Sequence, residues 1–229
     1  EMRAPIYAEG SEWTVELRNG KLIYNSASGS YNLPIPELIG RHQISNAGLA
    51  LAVIERSRRL EIHDTAIKRG LKSVAWPGRL QNLTRGYLND LLPEGSELWL
   101  DGGHNPAAGN MLATHASAEW RDLPFHIVIG MMNTKDTSDF LRPFLNIVTS
   151  VRTVPILGEV NSLNPAELAE TANRIGLKAY SCISVESALK SLRDLESEPL
   201  RVLICGSLYL AGAVLAADIS PVELTSNKK

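Results

Sequence analysis

Apolar and polar positions first alternate with a period of two: Trp13, Val15 and Leu17, then Asn19-Gly20, then the apolar run Leu22-Ile23-Tyr24. Asn-Gly between two such runs predicts a β-hairpin, because both residues accept the positive φ of a type I′ turn. Positions 26–30 and the Pro34/Pro36 pair read as a loop. The period then lengthens. Ile44, Ala47, Leu51 and Ile54 share one stripe of a helix over about 42–59, and a second helix covers about 64–72. Trp76-Pro77-Gly78 stops the helical pattern and marks the domain boundary, giving domains 1–77 and 78–229.

Beyond the boundary, short apolar runs alternate strictly with amphipathic stretches. Strands are predicted at 97–101, 125–131, 152–157, 178–183 and 201–205, and helices at 107–120, 136–148, 165–175, 185–196 and 208–217. The helix at 165 has a full start signal: Asn164 as N-cap, Pro165 at N1 and Glu167 at N3. Consecutive βα units build a mostly parallel sheet with helices on both faces, a Rossmann-like α/β domain. Ligands of such sheets sit beyond the carboxyl ends of the strands, where the strand order reverses.

Composition narrows the setting. At about 150 residues per domain, 229 residues make one large domain or one and a half to two smaller ones. Hydrophobic residues at 44% and charged residues at 21% describe a globular chain with a full core. A net charge of −2 supplies no bulk field for nucleic acid or an anionic membrane, so neither is expected as a partner. Cys182 and Cys205 form no CxxC and no disulfide framework, which fits a reducing cytoplasm, and the segment EMRAPIYAEG lacks the order of a signal peptide. The longest uncharged stretch, 202–217, contains two glycines and is shorter than the ~20 residues of a membrane span. His63, His115 and His126 have no metal-ligand spacing, and Arg56, Arg58, Arg59, Lys68 and Arg69 read as the solvated side of two helices.

Candidate chemistry concentrates in Leu98-Trp-Leu-Asp-Gly-Gly-His-Asn-Pro-Ala-Ala-Gly109. A strand ends at Asp101, two glycines turn the backbone, and Asn105-Pro106 opens a helix whose free N–H groups face the same crevice. A carboxylate, an imidazole and a helix N-terminus thus share one edge. Alternatively, Asp101 and Asn105 cap a turn and His104 is a plain surface residue. In Lys135-Asp136, Asp136 reads as the N-cap of the next helix, with Lys135 near the crevice.

LDGGHNPAAG resembles the LDGAHNP segment of the folylpolyglutamate synthase/dihydrofolate synthase family, within the Mur ligase superfamily. Four further stretches agree in order: Gly40-Arg-His-Gln-Ile-Ser-Asn-Ala47, Trp76-Pro-Gly-Arg-Leu-Gln81, Gly130 with Lys135-Asp136, and Cys205-Gly-Ser-Leu-Tyr209. Departures are Gly103, where Ala is usual, and a longer link at 84–96. The resemblance implies a cytoplasmic, monomeric, ATP- and Mg²⁺-dependent ligase that adds L-glutamate to folate or dihydropteroate through an acyl phosphate. It assigns Asn46 to adenine, Arg79 to nucleotide phosphate from a hinge at 76–79, and Asp101 to the nucleotide's ribose. His104, Ser207 and Tyr209 fall to the glutamate site, with His42 and Gln43 in support. Arg79, Asp101 and His104 are the expected catalytic set, and none of these residues is expected to bind metal. Left open are a helix-surface Asn46, a surface ion pair for Arg79 and a core position for Tyr209.

No GxxxxGK[ST] occurs in the 229 residues. The resemblance therefore implies that 1–77 is the end of a central ATPase domain, that the P-loop and metal ligands lie upstream, and that this chain is inactive alone. Two other readings are a Mur ligase of peptidoglycan synthesis and a non-enzymatic Rossmann-like binding module.

Overall fold

The computed structural model describes residues 5–57 and 62–218, so Arg58, Arg59 and the polar tail at 225–229 lie outside the described residues. The chain divides into two compact units, Glu1–Pro77 and Gly78–Lys229.

In the first unit, strands β1 (Trp13–Arg18), β2 (Lys21–Ser26) and β3 (Gly29–Leu33) form an antiparallel sheet in that order. Asn19 and Gly20 take φ of 51° and 69°, as the hairpin requires. β3 corrects the loop read at 26–30. Its Gly-Ser-Asn composition hides a strand, yet it pairs with β2 from Ser26↔Gly29 to Leu22↔Leu33. Helices α1 (His42–Arg56) and α2 (Asp64–Ser73) follow. Ala47, Leu51 and Ala52 of α1 close a core with Trp13, Leu22, Tyr24 and Leu33. Gly48 makes the approach possible, since a methyl there would fall 2.6 Å from Val15 Cγ1 and 2.7 Å from Trp13 Cζ3. The Glu55 carboxylate ties helix to hairpin by accepting from Tyr7 Oη (3.0 Å), Tyr24 Oη (2.8 Å) and Ser26 Oγ (2.5 Å). Burial pushes Glu55 up, but its hydroxyl donors outweigh that and hold it below the usual carboxylate range.

The second unit is built on a six-stranded sheet in which β4 (Gln81–Asn82) pairs antiparallel to β5 (Glu97–Leu100). The parallel strands β6 (Phe125–Ile129), β7 (Ser150–Thr153), β8 (Ala179–Ser181) and β9 (Arg201–Cys205) complete the order β4-β5-β9-β6-β7-β8. Helices α3 (Pro106–Glu119), α4 (Thr137–Leu141) and α5 (Pro165–Arg174) cover one face, where Leu112, Phe140 and Leu168 meet Phe125, Ile127 and Leu203. Helices α6 (Val185–Arg193) and α7 (Leu208–Ala217) cover the other, where Leu189 and Leu210 meet Leu98, Val202 and Ile204. Sandwiched strands carry apolar side chains on both faces, which is why β6 and β9 read as unbroken buried runs. Since α3 leaves β5 toward one face and α7 leaves β9 toward the other, the crevice between these neighbouring strand ends is the switch point.

The expected elements recur with adjusted limits. The helix predicted at 136–148 ends at Leu141 and continues only as a 3-10 turn, Arg142–Phe144. Pro143 lacks the N–H that an α-helix interior needs there. Strand 152–157 shifts to Ser150–Thr153, because Pro155 cannot donate to a ladder. Two-residue β4 was too short to show a period.

At the amino ends of the strands, polar side chains satisfy one another. Arg201 is buried and pairs with Glu97 Oε2 (2.7 Å) and Asp122 Oδ1 (2.8 Å). Buried Arg152 donates to Ser150 Oγ (3.0 Å) and Ser191 Oγ (2.9 Å), and its guanidinium lies 4.7 Å from the Tyr180 ring centre. Ser150 Oγ accepts from Arg152 and is also hydrogen-bonded to His126 Nδ1 at 2.8 Å, while the buried His126 Nε2 has no hydrogen-bond partner among the described residues. Burial, then the nearby Arg152 charge, lowers the His126 pKa to about 4, so its 4.0 Å approach to Glu196 is not an ion pair at neutral pH. An unfolded chain takes up this proton near pH 6.5, so stability is full above that pH and lost as pH falls toward 4. Urea titrations of the wild type and His126→Gln should differ by about 2 kcal/mol in their loss between pH 7.5 and 5, the wild type losing more. Equal losses would contradict the buried neutral imidazole.

Candidate functional site

Three turns meet at the carboxyl edge of the sheet beside the switch point: 78–81 before β4, 101–105 after β5 and 206–209 after β9. Asp101 ends β5, with its own N–H donating to Ile204 O (2.9 Å). Its side chain is 2% exposed. Oδ1 accepts from the Gly103 N–H at 2.6 Å, which closes the turn, and Oδ2 accepts from the Leu80 N–H at 2.8 Å, which reaches into the neighbouring turn. A second bond runs back, from the Gly102 N–H to Gly78 O at 2.8 Å. Gly206 N–H donates to Gly103 O at 2.9 Å and draws the third turn to the same point.

Glycines make these approaches possible. Gly206 has φ of 105°, and a methyl on it would lie 2.6 Å from Gly130 O. A methyl at Gly103 would stand 2.8 Å from Asp101 Oδ1 and 2.9 Å from Ala108 Cβ, so the residue by which this chain departs from the family pattern leaves room for the carboxylate.

Arg79 therefore lies between two stitched residues, Gly78 and Leu80, and belongs to the second unit rather than to a free linker. Its side chain is half-buried and has no hydrogen bond or ion pair among the described residues. His104 is also half-buried. Its Nδ1 lies 2.9 Å from Gly102 O, and because a carbonyl only accepts, Nδ1 carries a proton. Ser207, 3% exposed, is the N-cap of α7, its Oγ accepting from the Tyr209 N–H at 3.1 Å. Tyr209 is 59% exposed, which excludes the core position left open for it. Asn105 caps α3 through Ala108 N–H (2.9 Å), and Asp136 caps α4 through Asp139 N–H (3.0 Å). Lys135 is exposed.

The second unit thus brings Arg79, Asp101, His104, Ser207 and Tyr209 to one edge, while Asn46 stands in the first unit. There a chain of amides holds it: Asn46 Nδ2 donates to Gln43 Oε1 (2.9 Å), and Gln43 Nε2 donates to His42 Nε2 (2.8 Å). Asn46 is exposed, and its Oδ1 has no hydrogen bond among the described residues. Leu80 was not singled out by the sequence, because it acts through its backbone: a buried residue with φ of 43°. Its only signal was its place after Pro77-Gly78-Arg79.

A guanidinium without a partner among the described residues, beside two helix N-termini, suits anionic reactants such as phosphate and carboxylate. Among the described residues no group of three or more His, Cys, Asp and Glu could hold a metal ion.

Residues 87–217 match the family model described as dihydrofolate synthetase, C-terminal domain. The chain is 27% identical over 224 residues to dihydrofolate synthetase of Saccharomyces cerevisiae, covering 91% of this chain and 52% of that protein. It is 26% identical over 216 residues to dihydrofolate synthase/folylpolyglutamate synthase of Escherichia coli, covering 94% and 47%. Its fold resembles E. coli FolC in complex with ADP (TM-score 0.75, 25% identity, 95% of this chain and 48% of that one). It also resembles the bifunctional Yersinia pestis enzyme complexed with AMPPNP and Mn ion (TM-score 0.73, 26% identity, 91% and 46%). The chain spans about half the length of the curated relatives it matches.

The turn geometry makes a stability prediction. Gly206→Ala meets both a left-handed φ and the Gly130 carbonyl, whereas Gly158→Ala, at φ of 83°, meets no atom within 4 Å. By urea denaturation the second should cost about 1 kcal/mol and the first on the order of 2–4 kcal/mol. Equal costs would mean that the third turn is not packed as described.

Proposed function

The chain belongs to the dihydrofolate synthetase family, and from that premise we propose that it serves an ATP-dependent carboxylate–amine ligase adding L-glutamate to a folate or dihydropteroate carboxylate. ATP, when bound, supplies the phosphoryl group that activates this carboxylate as an acyl phosphate, with phosphate leaving when the glutamate amine attacks. The observation that carries the reading is the uncommitted Arg79 guanidinium, fixed by its backbone beside His104 and the N-terminus of α7.

Arg79 is suited to phosphate oxygens, because its planar fork stays charged and matches them bidentately. With Nδ1 donating to Gly102 O, the neutral form of His104 offers Nε2 as an acceptor for the glutamate ammonium. The Tyr209 hydroxyl and the amide end of α7 are suited to a glutamate carboxylate, with Ser207 supporting that end as its cap. In the first unit, Asn46 presents a carbonyl acceptor held by Gln43, suited to the donor edge of adenine.

Nucleotide binding by the E. coli and Y. pestis structures supports ATP as co-substrate, and Mn in the latter supports a divalent ion, Mg²⁺ in this proposal. With no P-loop in the 229 residues, the β- and γ-phosphates lack their usual cradle, and we propose that this chain alone does not turn over. A cytoplasmic setting fits both the thiols and the absence, among the described residues, of a helix long and apolar enough to cross a membrane.

Glutamate-dependent phosphate release should be absent with this chain and present with the full-length protein. There Arg79→Ala should lower kcat by roughly 10²-fold. His104→Ala should raise the glutamate KM with a smaller effect on the KM for ATP. Turnover by this chain alone, or an unchanged glutamate KM in His104→Ala, would count against the corresponding assignment.

A further inference from the structure

We propose that Leu208 is a specificity-determining residue: its half-exposed side chain, seated on Gly102, is the apolar wall against which the methylenes of glutamate lie. The inference rests on the reading above, in which His104 takes the ammonium and the amide end of α7 takes a carboxylate, here that of the side chain.

Three contacts converge on Gly102. Its N–H donates to Gly78 O at 2.8 Å, beside Arg79, and its carbonyl lies 2.9 Å from His104 Nδ1. Its Cα is covered by Leu208: a methyl on Gly102 would stand 2.3 Å from Leu208 Cδ2 and 3.1 Å from Cγ, so only the glycine admits this side chain. Leu208 thus rests on the residue that holds the imidazole, while its own backbone is the first position of α7 after the Ser207 cap. It nevertheless stays 52% exposed. Leu80, the other aliphatic side chain of the three turns, is buried, so within them Leu208 is the one that offers aliphatic surface to a ligand.

A helix start favours acidic side chains, yet the first turn of α7 has none, which leaves its amide end to a substrate carboxylate. A ligand whose ammonium meets His104 and whose side-chain carboxylate meets that end spans the two elements that Leu208 joins. Its carbon chain then passes over the leucine. The contact takes apolar surface of both partners out of water and grows with each methylene. Polar groups at either end recognise an amino acid with an acidic side chain, and the leucine reads the hydrocarbon between them. Aspartate, one methylene shorter, makes less of this contact.

The test uses three variants of the full-length enzyme, with phosphate release giving KM for glutamate and for ATP, kcat, and the preference for glutamate over competing aspartate, and with Tm read alongside. Leu208→Ala removes the wall. Leu208→Asn keeps the branched shape over Gly102 but presents an amide, and Leu208→Met keeps an apolar face; both fill the space if Leu208→Ala fails to fold. The Ala and Asn variants should raise the glutamate KM roughly five- to tenfold and lower the preference over aspartate, with the ATP KM and kcat within about twofold of wild type. Leu208→Met should stay within about threefold in glutamate KM. An unchanged glutamate KM in Leu208→Ala or Leu208→Asn would overturn the proposal, the latter because shape alone would then suffice. Parallel weakening of ATP and glutamate with a lowered Tm would overturn it in favour of a structural role, since Gly102 also anchors the turn that carries Arg79. A wild-type enzyme without glutamate-dependent phosphate release would instead defeat the ligase reading, and the inference with it.

Discussion

The Asp101 carboxylate accepts two backbone N–H groups from turns more than twenty residues apart in sequence, Gly103 on its own strand end and Leu80 before β4. A parallel sheet places strand ends at one edge but does not determine how their loops sit against one another. Here the loops share bonds: Leu80 to Asp101, Gly102 to Gly78, and Gly206 to Gly103. An anionic group at the strand end answers the N–H groups that a tight turn leaves pointing inward. The glycines let the backbones come close enough for it to do so.

Polar groups at the two ends of the sheet are treated oppositely. At the amino ends, Arg201, Arg152 and His126 are buried and bonded to carboxylates, hydroxyls or an aromatic ring, with the imidazole kept neutral by burial. Partnering of that kind offsets desolvation, while the buried His126 Nε2 keeps no hydrogen bond. At the carboxyl edge, by contrast, Arg79, the Nε2 of His104 and the Tyr209 hydroxyl have no partner among the described residues. The proposed binding edge thus keeps unspent donors and acceptors on a rigid base, beside the amide ends of α3 and α7.

Much of this was legible in the sequence, because period and turn chemistry are local. Asn19-Gly20 marked the hairpin, the buried runs of β6 and β9 marked a covered parallel sheet, and Asn164-Pro165 marked the start of α5. The elements missed are those without a period of their own: β3, disguised by Gly and Ser, and two-residue β4. Pro143 shortened α4 against its apolar pattern. For the site, spacing and resemblance brought Arg79, Asp101 and His104 to notice, but not the direction in which each faces. Whether a carboxylate points at solvent or at a neighbouring amide depends on a loop brought in from elsewhere in the chain. That is tertiary information, and the part played by Leu80 belongs to it.

Amide hydrogen exchange at Leu80 tests the staple most directly, since that N–H is the donor on which the arrangement turns. In this chain at neutral pH, the Leu80 amide should be protected to a degree comparable with the amides of β5 and β9, and Gly103 with it. Exchange at Leu80 as fast as at an exposed loop amide, while β5 and β9 remain protected, would show that the carboxylate does not hold the turn and that Arg79 is not fixed by it.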